Sequence, residues 1–161
     1  MTVAAAIVVA GSCGGRMPAS PELGASPSPR AVSVPAGPYM LTITPANSGN
    51  SGPSICSGTL ATTPVRLAVN GERNGEFTTL QTTAPETSLR IDFRITGATV
   101  LGGISGSAVD EGGHRISASG EVTGAAPPDP AIIVAGNITG SISAGNGFCS
   151  NNAHSWSLAA R

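Results

Sequence analysis

The sequence predicts an all-β domain, an eight-stranded antiparallel up-and-down meander that closes into a barrel. Three observations carry this. From residue 38 onward, apolar residues recur at every second position in short runs. Glycine, proline and asparagine punctuate those runs. No segment of this part has a helical period. The 161 residues hold 22 Gly and 13 Pro, with 11% charged and 3% aromatic residues and a net charge of −1. That length fits one domain with an extension. All eight basic residues are arginine, scattered along the chain. Without a basic cluster, nucleic-acid binding has little electrostatic support.

The strands follow in order. In "YMLTITP", Tyr39, Leu41 and Ile43 share a face. "VRLAVNG" alternates Val65, Leu67 and Val69 with Arg66 and Ala68, then meets Asn70-Gly71. "EFTTLQTT" is weaker: its pattern slips between Phe77 and Leu80, as a bulge would cause. "SLRIDFRIT" is the clearest, with Leu89, Ile91, Phe93 and Ile95 inward and Arg90, Asp92 and Arg94 outward. "TVLGGISGSAV" sets Val100 and Ile104 among small residues, and Gly112-Gly113 marks a tight turn. "HRISASGEVTG" aligns Ile116, Ala118, Gly120 and Val122, and "AIIVAGNITGSIS" aligns Ile132, Val134, Ile138 and Ile142. The last strand, "HSWSLAAR", alternates His154, Trp156 and Leu158 with Ser155, Ser157 and Ala159.

A closed barrel has no exposed edges. Closure would pair the first strand with the last, antiparallel, bringing the end of one near the start of the other. Cys56 follows the first strand and Cys149 precedes the last. A Cys56–Cys149 disulfide would therefore staple the seam. A two-sheet β-sandwich of immunoglobulin type is the alternative, but Trp156 lies after both cysteines rather than between them.

The N-terminus reads as an address. Val3 to Gly11 is an uncharged apolar run, much shorter than the roughly 20 residues of a membrane-spanning helix. It suits the core of a secretory signal, about 7–15 residues. Val9-Ala10-Gly11-Ser12-Cys13 resembles the lipobox of bacterial lipoproteins, although Ala10 stands where leucine is commonest and Met1-Thr2 lacks the usual basic start. A true start upstream of Met1 would account for the missing charge. The resemblance implies a diacylglycerol on the Cys13 thiol, cleavage before it, and a partner in the membrane. It also leaves Cys56 and Cys149 as an even pair, with no short spacing suited to metal or redox chemistry. The expected organisation is a signal over 1–12, a lipidated and disordered Pro/Ser/Gly/Ala tether over 13–37, and a barrel over 38–161.

Both ends of the domain, "GPYMLTITP" and "CSNNAHSWSLAAR", resemble small, uncharacterised bacterial lipoproteins, a resemblance that brings no activity with it. The meander is similar to the calycins, lipocalins and avidins, by strand count alone.

Chemically pointed residues are few. His114 follows a glycine turn and is expected in solvent. His154 lies on the apolar side of the last strand, so it and Trp156 are the candidate contacts for a ligand at the barrel mouth. Asp110-Glu111 reads as a solvated turn. There is no G-x-S-x-G elbow, no catalytic constellation and no metal set, so neither enzyme activity nor a cofactor is expected. Asn137 heads an N-x-T sequence, discounted because it lies mid-strand and the lipobox points to a bacterial source. Glycines on the inward faces could coil the strands or leave a cavity. The readings are an exported, lipid-anchored barrel holding a small apolar ligand, a cell-surface structural or assembly module with a filled interior, and, third, an enzyme gathering His154 with a carboxylate.

Overall fold

A computed structural model of the chain describes residues 29–49 and 52–161. Its strands are β1 (Gly37–Thr44), β2 (Ile55–Ser57), β3 (Val65–Asn74), β4 (Phe77–Thr82), β5 (Arg90–Thr96), β6 (Thr99–Val109), β7 (Arg115–Ala125), β8 (Ile132–Ala144) and β9 (Gly147–Ala160). Every pairing is antiparallel, from β1–β3 through β8–β9 in meander order. β1 also pairs with β9, from Tyr39↔Ala160 to Thr44↔Ser155, and closes an eight-stranded barrel. The short β2 is additional. It runs along the other half of β9, with Cys56 opposite Cys149, and the two cysteines form the expected disulfide.

The inward positions foreseen from the alternation are the core. Leu41, Ile43, Ile91, Phe93, Val100, Ile116, Val134, Ile138, Ile142 and Leu158 are each 0% exposed. A side chain with no accessible surface touches no water-sized void, so the barrel is packed around these residues. The β3–β4 and β5–β6 hairpins turn on Gly75 and Gly97, at φ of 62° and 60°, a conformation that a side chain disfavours.

Four details differ from the sequence expectation. The ladder through β4 is continuous: Thr78 and Leu80 point inward, and Phe77 lies outside beneath the Arg94 guanidinium, 5.0 Å from its ring centre. A threonine hydroxyl is tolerated there because Thr78 lies near the barrel's end. The bulges sit instead between β8 and β9. One falls between Ile132 and Val134, which leaves Ile132 half-buried opposite Ala159 rather than in the core. The other sets two β9 residues against Thr139. That extra residue shifts the period, so Cys149 and Asn151 face inward along with His154, Trp156 and Leu158. Finally, folded structure starts before residue 38. Val32 and Val34 are buried, the Val32 amide donates to the Gly97 carbonyl, and the Arg30 guanidinium reaches the Ile132 carbonyl. The expected tether therefore gives way to packed chain by about residue 32. Its earlier part, the signal over 1–12 and Cys13 lie outside the described residues.

The inward glycines let strands approach closely. Gly120 faces Gly140 and Gly124 faces Gly136 across β7 and β8. A Cβ on Gly136 would land on the Thr123 carbonyl oxygen, and one on Gly140 would meet that of Ser119. Trp156 fills the space above the second pair: it lies opposite Gly136, packs against Phe93 with ring centres 6.1 Å apart, and donates its indole N–H to the Thr123 carbonyl at 2.9 Å. Gly136→Ala is expected to cost at least about 3 kcal/mol in urea unfolding. Gly103→Ala, on the outer face with only the Gly120 carbonyl at 3.5 Å, should be neutral or stabilise by up to about 1 kcal/mol. The disulfide spans 93 residues, and in the chain-entropy model such a loop contributes roughly 4–5 kcal/mol. Cys56→Ser/Cys149→Ser should show most of that loss as a lower urea midpoint; an unchanged midpoint would mean the seam holds without it.

Candidate functional site

His154, Cys56 and Cys149 gather where a strap, residues 45–49 and 52–64, crosses the first half of β9, while Trp156 lies further along β9 against Phe93 and Gly136. His154 has no exposed surface. Its Nδ1 accepts the Ala46 N–H at 3.0 Å, and its Nε2 lies 3.2 Å from the Cys149 carbonyl oxygen. Only the neutral ring with its proton on Nε2 satisfies both. Asn151 completes the arrangement, donating to the Ala46 carbonyl at 2.7 Å and accepting from the Ala153 N–H at 2.7 Å. The strap is thus tied to β9 at Ala46 by both faces of one peptide residue and again at Cys56.

Burial pushes the pKa of His154 below its ordinary value, and the carbonyls of Cys149 and Gly140 offset only part of that. Charging the ring would also set an N–H against the Ala46 N–H. His154 is therefore a structural histidine whose partners are backbone atoms, and no carboxylate joins it. Trp156 is equally internal. Neither side chain reaches a barrel mouth, and both hold the wall together.

The solvent-facing chemistry lies next to the strap. The Asp110–His114 turn closes on itself: the Asp110 N–H donates to the His114 carbonyl, and the Gly113 N–H donates to that of Asp110. The Asp110 carboxylate accepts the His114 backbone N–H at 2.8 Å and faces the His114 Nδ1 at 3.0 Å. Burial works against the carboxylate's charge, yet the His114 backbone and ring hydrogen bonds outweigh it and hold its pKa below the ordinary value. The turn expected from Gly112-Gly113 is present, and His114 is exposed. Its pairing with Asp110 was not foreseen, although a four-residue spacing around two glycines is the signal that could have shown it.

Beside this turn lies a cleft of about 280 Å³. Ala61, Val65 and Ala144 form part of its lining, with His114, Arg115 and Asn146. Across the rest of the wall, charge is confined. β3 and β5 carry Arg66, Glu72, Arg73, Arg90, Asp92 and Arg94, and β7 carries Arg115 and Glu121, whereas β6, β8, β9 and β1 carry no charged residue. The outer face of β6–β9 instead aligns serines in register: Ser105, Ser119, Ser141 and Ser150 in one row, Ser107, Ser117 and Ser143 in the next.

No protein-family model, curated protein or solved structure matches this chain. Among the described residues, no group of three or more His, Cys, Asp or Glu side chains is placed to hold a metal. No helix there is long and apolar enough to cross a membrane.

The buried histidine predicts a pH dependence with a definite sign. Its folded pKa lies below the unfolded value near about 6.5. The unfolded chain then binds the proton first as pH falls. The stability that His154 contributes is present above about pH 6.5 and declines below it, by up to about 1.4 kcal/mol per pH unit. Urea unfolding of the wild type between pH 7.5 and 5 should be steeper in pH than that of His154→Gln; identical slopes would place the dependence elsewhere.

Proposed function

We propose that this chain is an exported, lipid-anchored protein of the bacterial cell envelope, and that its barrel is a filled structural or assembly module working through its outer surface. The packed interior is the observation that carries the second half of this reading. With the core side chains closed to water, and with His154 and Trp156 bound to backbone groups, a small apolar ligand finds no lumen to occupy. Function then falls to the outer wall and the ends.

The Cys56–Cys149 disulfide supports export, because such bonds persist in oxidising compartments outside the cytoplasm. With those two thiols joined, Cys13 is the one cysteine left over, consistent with its lipobox setting. A wall with charge concentrated on β3 and β5, and with rows of serines across β6–β9 broken by Arg115 and Glu121, suits a module with two different surroundings, such as a partner and solvent. Catalysis finds less support, since neither histidine stands with an activated nucleophile.

Intact-mass measurement of membrane-extracted protein tests the anchor. The mature chain should begin at Cys13 and carry a diacylglyceryl mass, and Cys13→Ala should move the protein from the membrane to the soluble fraction. An unmodified Cys13 in membrane-extracted protein would remove the lipid anchor from the reading.

A further inference from the structure

We propose that the cleft between residues 61–65, the 110–114 turn and the 144–146 turn binds a small organic anion, its carboxylate held by Arg115 and its apolar part laid against Ala61, Val65 and Ala144. Three observations converge. First, the cleft combines an apolar lining with a cationic one, in a volume of about 280 Å³. Ligand pockets usually measure about 300–1,000 Å³, so a compact ligand is implied.

Second, the Arg115 side chain has no hydrogen-bond or ion-pair partner among the described residues, whereas Arg90 is paired with Asp92 and Arg94 with Glu76. A guanidinium presents a fork that fits a carboxylate, and this fork is free. Third, Asp110 engages His114 through Nδ1 and the backbone N–H. The Asp110 carboxylate thus takes the Nδ1 proton, fixes the ring as part of the cleft wall with Nε2 an acceptor when the ring is neutral, and has its own charge already engaged, which leaves Arg115 as the cation facing a ligand.

The other cleft that borders this turn lacks the same balance. It measures about 220 Å³, and although Arg66 and Arg161 line it, so do Asp110 and Glu111. There the Glu111 carboxylate stands among the lining beside the guanidiniums. At the Arg115 cleft, no carboxylate is among the lining groups.

Sodium benzoate serves as the probe, with benzamide and inorganic phosphate as the neutral and the purely anionic comparisons. In ¹H–¹⁵N spectra of the full chain, benzoate should give saturable shifts at the amides of Ala61, Gly113, Arg115 and Gly145. Benzamide and phosphate should each bind about tenfold more weakly, the effect of losing one well-made polar or apolar contribution. Arg115→Gln should weaken benzoate about tenfold, and Thr63→Trp, at an exposed position lining the cleft, should block it while leaving Arg115 in place. Arg90→Gln, two strands away on β5 and outside the cleft, should change nothing. Non-saturating shifts, equal affinity for benzamide, tight binding of phosphate alone, or benzoate affinity unmoved by both cleft variants would each overturn the site. Because two variants of different kind are used, failure of one to fold leaves the other decisive.

Discussion

The pairing of β1 with β9 is the constraint on which the rest of the structure depends. An antiparallel meander left open would expose two long edges, and β9, at 14 residues, would be an unusually long one. Closing it forces each strand to coil through the turn of the barrel. The inward face then narrows, and bulky residues cannot stand at every level. This is why glycines alternate with Val134, Ile138 and Ile142 along β8 and face glycines on β7. Where two glycines meet, the backbones come together, and a single large ring, Trp156, fills what remains. The low aromatic content of the sequence follows from this geometry: few large side chains fit once the sheet has closed.

Closure also explains the division of labour along β9. The eight residues of β1 cover only its second half. The strap and β2 cover the first half and would be held weakly by three paired residues alone. The disulfide, the His154–Ala46 and Asn151–Ala46 hydrogen bonds, and the Leu60↔Gly145 bridge supply the remaining hold. His154 works there because it is neutral and needs one donor and one acceptor, both of which the backbone provides.

Much of this was legible in the sequence because alternation is a local signal. Each strand's inward set could be read from its own residues, and the two cysteines fixed the seam because they sit at the ends that closure must bring together. What escaped depends on more than one strand at once. The β9 bulge inserts one residue and flips the parity upstream, so Cys149 and His154, five apart, face the same side against a strict period of two. The inward Thr78 and outward Phe77 are decided by register with β5, not by their own polarity. Val32 and Val34 alternate with Ser33 over too short a run to read as a strand, and their burial is set by the barrel end they cover. At the candidate site, His154 and Trp156 were correctly placed on the inner face. Whether an inner face is a lumen or a core depends on how closely the opposite walls approach, and that is a property of the closed sheet.

A packed core gives a small barrel no internal vessel, so any ligand must be met where segments converge at the surface. The stapled end is such a place. Ala61 and Ala144 line the cleft, and they are joined directly, the Ala61 N–H donating to the Ala144 carbonyl at 3.1 Å. Ala61 lies five residues beyond Cys56, and Ala144 five before Cys149, so the disulfide and this hydrogen bond clamp the same pair of segments from two sides. The elements that keep the seam closed are the same ones that hold the cleft's lining in position. Stability of the seam and shape of the cleft are therefore one mechanical property, which gives a chain with few large core side chains a physical reason to place the Cys56–Cys149 disulfide at this end.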